Sequence, residues 1–219
     1  MTVASPRETP SERTRTRTRI VRAAEKIFAD KGFRAMTLRD VTRQAKVNLA
    51  AVNYHFGSKT DLMRAVLREH FEPINRLRFA RLDALVARHA PAPIPVIDIM
   101  DALVRPLFEG VNPNGARNPG LIRVIGRAIS EPADFIQPFH TEFFGELTRR
   151  FLTELHRSCP QMSEEQLQFR LYLAVSTMIG SIVDQARLEN MSGGKLDQGD
   201  VDRIVHEMVC FVDAGFRAP

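Results

Sequence analysis

The sequence has little cysteine, no tryptophan and no long apolar run. Only Cys159 and Cys210 occur in 219 residues, which gives no disulfide framework and fits a reducing compartment. No run of about 18 apolar residues predicts a transmembrane helix, and the polar, arginine-rich N-terminus lacks the apolar core of a signal peptide. With 44% hydrophobic residues, we expect a cytoplasmic globular protein that does not enter the membrane.

Motifs of catalysis and metal binding are also missing. The six histidines are scattered without metal-ligand spacing, and the sequence has no GxSxG, Walker or GxGxxG motif. Acidic neighbours such as Glu164 and Glu165 fall at a predicted helix start, where capping explains them. We therefore predict no enzyme, no cofactor and no metal site. No strand pattern appears either, which predicts an all-α fold.

Positive charge is concentrated in the first third of the chain. Residues 1–70 carry 15 Lys and Arg against 7 Asp and Glu, whereas the remainder carries 16 against 19. The net charge of +5 thus combines a strongly basic segment with a mildly acidic one. This segregation is typical of nucleic-acid binding by the N-terminal part.

The stretch from Met36 to Lys59 reads as a helix-turn-helix. Thr37 is a good cap for a first short helix, and Asn48 is one for a second helix that reaches about Phe56. Leu38, Val41 and Ala45 fall on one face of the first helix.

The outer face of the second helix suits the major groove of B-DNA. Val52 and Phe56, four residues apart, are expected to face the core. Small residues allow close approach, and Asn53 offers a donor and an acceptor to a base edge. The predicted DNA-contacting residues are Ala50, Ala51 and Asn53 nearest the bases, with Thr37, Arg39, Tyr54, His55 and Lys59 beside them.

These residues carry a resemblance to a known family. TLRDV at 37–41 and NYHFGSK at 53–59 resemble the DNA-binding domain of the TetR/AcrR family of bacterial repressors. Within it, Asn48 to Lys59 is most similar to regulators of the PsrA type, which respond to fatty-acyl ligands. The resemblance covers roughly residues 14–70 and implies a DNA-binding domain followed by a helical effector domain. The family usually has glycine at the turn where this chain has Lys46; we expect the turn to form, with Lys46 either a surface lysine or directed at DNA.

The predicted organisation has three parts. Residues 1–13 form a disordered tail, residues 14–60 the helix-turn-helix domain, and residues 61–219 a helical domain for effector binding and dimerisation. The alternating arginines at 13, 15, 17 and 19 fit either a phosphate-binding tract or a solvated helix start. A long helix from Ser58, interrupted by Pro73, joins the two domains. A further helix beginning after Ser163 is predicted to reach about Asn190.

Two sets of residues in the helical domain have predicted roles. An apolar effector pocket, with Arg123 or Arg127 as an anchor for a carboxylate, is predicted for Met100, Leu103, Leu107, Phe108, Ile122, Arg123, Ile125, Phe139, Phe143 and Met178. A homodimer interface formed by the last two helices is predicted for Leu171, Ala174, Val175, Ile182, Ile204, Met208, Phe211 and Val212. The alternative for both sets is ordinary core.

Together these features predict a ligand-responsive repressor. It would bind a palindromic operator in double-stranded DNA as a homodimer and be released by a hydrophobic effector such as a fatty acid or acyl-coenzyme A. A constitutive dimeric DNA-binding protein with no effector stays open as an alternative.

Overall fold

The computed structural model of the chain describes residues 10–111, 118–196 and 200–218. Every regular element in these residues is a helix, in agreement with the predicted all-α class. The helices are α1 (Pro10–Ala35), α2 (Leu38–Ala45), α3 (Leu49–Phe56), α4 (Lys59–His89), α5 (Val96–Val111), α6 (Pro119–Ser130), α7 (Ala133–Ser158), α8 (Glu164–Val183), α9 (Gln185–Ser192) and α10 (Val201–Arg217). Among the described residues, no helix is both long and apolar enough to cross a membrane.

The first compact unit ends at Glu69 and contains α1, α2, α3 and residues 59–69 of α4. Its core uses the apolar stripe of α1, in which Ile20, Ala24 and Phe28 are fully buried, together with Val41 and Val52. Burying such side chains stabilises the unit by about 1.5–3 kcal/mol for each large one. The buried faces of α1, α2 and α3 thus form one small core, and α2 and α3 are the helix-turn-helix within this unit.

The start of α1 differs from the expected tail. The helix begins at Pro10, so residues 10–13, predicted to be disordered, are helical, while residues 1–9 lie outside the described part. Proline suits a first helical position because its missing N–H would have no partner there. The helix therefore includes the alternating arginines at 13, 15, 17 and 19.

The second compact unit begins at His70 and contains residues 70–89 of α4 and the helices α5 to α10. The unit boundary thus falls inside α4, nine residues after the predicted one. Its core is one apolar cluster built from α4, α5, α6, α7, α8 and α10. Examples are Leu82, Phe108, Phe151, Met178 and Val209, all less than about one-twentieth exposed.

Helix α8 is shorter than predicted. It ends at Val183, and Asp184 leaves helical geometry with φ −105° and ψ 45° before α9 begins at Gln185. The expected continuation to Asn190 was wrong: Ile182 is the last buried residue of α8, Val183 is 38% exposed, and the more polar segment from Gln185 forms its own short helix. The turn predicted at residues 112–115 lies outside the described residues.

Candidate nucleic-acid interface

Side-chain caps begin both helices of the helix-turn-helix, as predicted. Thr37 Oγ1 accepts a hydrogen bond from the Asp40 backbone N–H at 3.1 Å, and Asn48 Oδ1 accepts one from the Ala51 N–H at 2.8 Å. Each cap satisfies a donor that a first helical turn leaves unpaired, a contribution of about 1 kcal/mol. The Thr37 hydroxyl also donates to Asp40 Oδ2 at 2.9 Å, and this bond is the main reason that the pKa of Asp40 lies below its usual value.

A left-handed residue makes the turn between α2 and α3. Lys46 has φ 53° and ψ 51°, a conformation that costs a non-glycine residue about 1–2 kcal/mol. Its N–H donates to the Arg43 carbonyl at 3.3 Å, and the Val47 N–H donates to the Thr42 carbonyl at 3.1 Å. This pair of bonds is a Schellman motif, the usual way to end a helix with a left-handed residue. The expectation that the turn forms with lysine in place of glycine is confirmed.

Arg19 of α1 contacts the same turn. Its Nη2 donates to the carbonyl oxygens of Ala45 at 2.5 Å and Lys46 at 2.8 Å. The last carbonyl groups of a helix carry partial negative charge, so a guanidinium is favourable there. Arg19 therefore stabilises the turn from within the chain, a role that the alternating pattern of arginines did not reveal.

The structure agrees in part with the predicted division of α3 into a buried and an exposed face. Val52 is 1% exposed and anchors the helix, whereas Ala50, Asn53 and Tyr54 are exposed, the last by 66%. Ala51 is half-buried. The exposed positions form a surface of small and polar groups that a major groove can accept.

Two arginines of α1 cover the aromatic rings of α3. The Arg13 guanidinium lies 5.6 Å from the centre of the Tyr54 ring, and that of Arg17 lies 5.4 Å from the centre of the Phe56 ring. Arg17 Nη1 also pairs with Glu69 Oε1 at 3.2 Å. Phe56 is half-buried under this contact rather than in the core, which corrects its predicted position.

Lys59, predicted as a phosphate contact, is engaged inside the unit. Its Nζ donates to the carbonyl oxygens of Phe33 at 2.9 Å and Met36 at 3.0 Å, and it lies 4.2 Å from the centre of the Phe33 ring. An ammonium group has three N–H donors, so one remains for a phosphate. The structure thus gives Lys59 a bracing role that its sequence motif did not indicate.

His55 is only partly available for the contact predicted for it. The residue is half-buried, and its Nε2 atom is buried with no hydrogen-bond partner among the described residues. Its ring packs against those of Tyr54 and Phe56, with centroids 5.3 and 6.1 Å apart. A phosphate contact from this orientation would have to use Nδ1.

The predicted effector residues of the second unit divide by burial. Two are half-buried, Ile122 and Phe143, and seven are buried, namely Met100, Leu103, Leu107, Phe108, Ile125, Phe139 and Met178. Neither predicted arginine is a buried anchor: Arg123 is exposed, and Arg127 Nε pairs with the buried Glu131 at 2.8 Å. Instead, Arg78 of α4 lies among these residues with 3% of its surface exposed.

Sequence reasoning missed Arg78, although a signal for it exists. Ile74, Arg78 and Leu82 are spaced four apart, and the two apolar residues are 4% and 0% exposed. Residues four apart share a helix face, so the arginine stands in the middle of a buried stripe.

Most of the predicted dimer interface is core of the single chain. Leu171, Ala174, Ile182, Met208 and Val212 are buried within the second unit, Val175 and Ile204 are half-buried, and only Phe211 is exposed, by 70%. The apolar groups that α8 does expose are others, chiefly Phe169 at 62%, Tyr172 at 64% and Leu173 at 47%. Selecting residues by hydrophobicity picked the face of α8 that packs inward.

The first unit contains two short capped helices joined by a left-handed turn, with a basic helix beside them. A second, helical unit follows in the same chain, and this combination is that of a helix-turn-helix transcriptional regulator. Two family models identify the family of regulators to which the chain belongs. Residues 20–66 match the one described as bacterial regulatory proteins, tetR family, and residues 101–215 match that of the tetracyclin repressor-like, C-terminal domain. The chain belongs to the TetR family.

Curated relatives match over part of their length. An HTH-type transcriptional repressor of Mycobacterium tuberculosis is 33% identical over 109 residues, which cover 48% of this chain and 53% of that protein. The HTH-type transcriptional regulator TtgR of Pseudomonas putida is 38% identical over 61 residues, 28% of this chain and 29% of that protein. The chain thus spans about half or less of the length of these two transcriptional regulators.

Solved structures share the fold along nearly the whole chain. The fatty acid degradation regulator FadR of Bacillus halodurans gives a TM-score of 0.60 at 14% identity, covering 97% of this chain and 100% of that one. The ketosteroid transcriptional regulator KstR2 of Mycobacterium tuberculosis gives 0.56 at 16%, covering 91% and 93%. At such identities the similarity shows the fold alone.

Proposed function

We propose that the protein is a homodimeric repressor that binds a pseudo-palindromic operator and is released by an elongated apolar effector. The observation that carries the DNA-binding part is the exposed face of α3, which combines Ala50, Asn53 and Tyr54 with the basic helix α1 beside it. Small and amide side chains suit base edges, and cations suit phosphates. A cytoplasmic location belongs to the same proposal.

Each predicted contact residue has a role in this proposal. Asn53, with Ala50 and Ala51 beside it, lies nearest the bases. Tyr54 and Arg39 contact the phosphate backbone. Thr37, His55 and Lys59 are already occupied in part by bonds or packing within the chain, so each offers DNA only its remaining donor or acceptor groups.

The DNA-binding proposal is tested by selecting bound sequences from a random library of double-stranded 30-base-pair DNA. We expect an inverted repeat with half-sites about one helical turn, or a multiple of it, apart. Asn53→Ala should relax the preference at one position of each half-site by about 1–3 kcal/mol. Gln168→Ala, an exposed amide of α8, is the matched control. Selection of no consensus would contradict the proposal.

The dimer is proposed to form through the exposed apolar face of α8 and α10. Phe169, Tyr172, Leu173 and Phe211 expose between 47% and 70% of their surface. Large exposed apolar groups gathered on two helices mark an interaction surface, and a second copy of the chain supplies a matching surface by two-fold symmetry.

Phe211→Asp tests this interface. A carboxylate at the centre of an apolar contact loses its hydration without gaining a partner, so we expect the mass in light scattering to fall from that of a dimer to 24.8 kDa. Met191→Asp makes the same change at a 79% exposed residue of α9 and should leave the dimer intact. A wild-type mass of 24.8 kDa at micromolar concentration would refute the dimer itself.

The effector is proposed to be a fatty-acyl compound bound in the second unit. Support comes from the PsrA-type resemblance of residues 48–59 and from the apolar groups that α5, α6, α7 and α8 direct inward. The ligand must bind the DNA-incompetent conformation more tightly than the competent one, and a few kcal/mol of difference suffices.

A gel-shift titration with dodecanoate and dodecanoyl-coenzyme A tests the effector proposal on the selected operator. Release by either compound supports it. Binding of either compound without release would favour the alternative, a constitutive dimeric DNA-binding protein, because the ligand would then lack a differential effect on the two conformations.

A further inference from the structure

Arg78 of α4 carries a charge in the core of the second unit. Its side chain is 3% exposed; Nε donates to the Leu103 carbonyl at 2.8 Å and Nη1 donates to Asn75 Oδ1 at 3.1 Å. The remaining terminal nitrogen, Nη2, faces Met178 Sδ at 3.7 Å. A thioether is a weak acceptor, and within the described part of the chain no carboxylate pairs with this guanidinium.

A buried cation without a counter-ion is unusual. Burial lowers the pKa of Arg78 to about 10, which still leaves the group protonated at neutral pH. Buried charges in proteins are normally paired. The buried carboxylates Glu131, Glu154 and Asp213 follow that rule, each with an arginine of its own helix or helix end at 2.8 to 2.9 Å.

The surroundings of Arg78 belong to several helices. Asn75, which accepts from it, donates through Nδ2 to the Phe143 carbonyl of α7 at 2.7 Å. Leu103 is on α5 and Met178 on α8. Leu103, Phe143 and Met178 are also three of the residues expected from the sequence to line an effector site, so the buried charge stands where that site is expected.

We propose that Arg78 anchors the carboxylate of an amphipathic effector, a molecule with a long apolar body and one anionic end. The inference rests on the proposed effector function and specifies the chemistry of the ligand. Nε and Nη1 hold the guanidinium in place through backbone and amide oxygens, which leaves Nη2 for the ligand. Methionine is flexible and its sulfur is a poor acceptor, so Met178 moves aside and a carboxylate oxygen takes its position in a charge-assisted hydrogen bond.

The anchor predicts discrimination between two ligands of equal length. Dodecanoate carries the anionic end and dodecanol does not, while both present the same apolar chain. Calorimetry on the purified full chain should show tighter binding of dodecanoate. Arg78→Met removes the cation and keeps an unbranched apolar side chain, and replacing a buried charge by an apolar group is often tolerated by the fold.

In Arg78→Met we expect dodecanoate affinity to fall by about thirtyfold or more, with dodecanol affinity changed by less than about threefold. Arg123→Met makes the same substitution at an exposed arginine of α6 and should bind both ligands as the wild type does. Unchanged dodecanoate binding in Arg78→Met, or equal losses of affinity for both ligands, would refute the role of Arg78 as an anchor. Arg78 would then be a residue that only links helices of the core. A wild type that binds no dodecanoate would also refute the anchoring role.

Met178→Leu keeps the test decisive if Arg78→Met does not fold. It removes the sulfur that competes for Nη2 and preserves the cation, so dodecanoate should bind at least as tightly as in the wild type. A selective loss of dodecanoate in this variant would overturn the proposal. Binding of the selected operator by the wild type is measured separately. If the chain binds dodecanoate through Arg78 but does not bind DNA, the anchoring role of Arg78 is supported and the proposed repressor function is refuted.

Discussion

Arg19 and Lys46 should be coupled through the turn of the helix-turn-helix. Arg19→Met deletes two hydrogen bonds from a charged donor to the carbonyl groups of Ala45 and Lys46. Bonds to charged groups contribute about 1.5–3 kcal/mol each when they are shielded from water. Because Arg19 is exposed, solvent screening reduces this contribution, and we expect a total loss of about 2 kcal/mol for the two bonds together. Without that brace, the left-handed Lys46 is expected to lose its conformation part of the time.

Lys46→Gly supplies the rescue. Glycine adopts φ 53° without the strain of about 1–2 kcal/mol that a side chain brings, although its unfolded state is freer by about 0.5–1 kcal/mol. The net gain in the wild type should be about 0.5 kcal/mol. In the Arg19→Met background the gain should be larger, because the turn there has lost its other support.

Hydrogen exchange followed by mass spectrometry is the direct assay. The Val47 N–H, bonded to the Thr42 carbonyl at 3.1 Å, should exchange faster in Arg19→Met and recover in the double variant. Urea unfolding measures the accompanying free energies. Arg22→Met, at an exposed arginine of the same helix, is the control. If Arg19→Met and Arg22→Met unfold and exchange alike, the bracing argument is refuted.

Three further outcomes are expected. Lys59→Met should lower the free energy of unfolding by about 1–3 kcal/mol because its ammonium bonds two carbonyl groups, so a loss of DNA affinity in this variant must be compared at matched fractions folded. Thr37→Ala should cost about 1 kcal/mol as a lost cap and raise the pKa of Asp40 in an NMR titration. Since the folded-state pKa of Asp40 is depressed, its contribution is present above the unfolded value of about 3.9 and is lost as the pH falls through the folded value; Thr37→Ala should therefore lose less stability on acidification. Ser163→Ala, which removes the capping box with Gln166, should lower the melting temperature through a loss of about 1 kcal/mol.

Local rules predicted the helix-turn-helix well. The caps at Thr37 and Asn48, the buried stripe of α1 and the turn at Lys46 depend on residues within a few positions of one another, and the sequence displays these directly. The end of α8 at Val183 was missed because the segment after Asp184 has ordinary helical composition. Only the direction of packing distinguishes one continuous helix from two.

The residues of the second unit show where sequence reasoning stops. Core and interface residues are both apolar, so a pattern on α8 could not tell Leu171, which packs inward, from Leu173, which is exposed. A charged residue on a long helix is assigned to the surface by default. Arg78 is an exception. Its spacing with Ile74 and Leu82 indicates a shared helix face, but only the structure shows that other helices cover that face.

Ion pairs and hydrogen bonds within the first unit also affect how much its basic side chains contribute to DNA binding. Residues 1–70 hold a net charge of +8, yet Arg17 pairs with Glu69, Arg43 pairs with Asp40 at 2.8 Å, and Lys59 is bonded to carbonyl groups. Each phosphate neutralised adds about 0.9 to the slope of log affinity against log salt concentration. Side chains already committed within the chain contribute less to that slope than exposed ones. We therefore expect Arg39→Met to lower the slope by about 1 per protomer, whereas Arg17→Met should weaken binding with little change in slope, because its guanidinium acts by holding α3 in place. Equal changes in slope for the two variants, measured by fluorescence anisotropy across a potassium chloride series, would show that net charge alone governs the affinity for DNA.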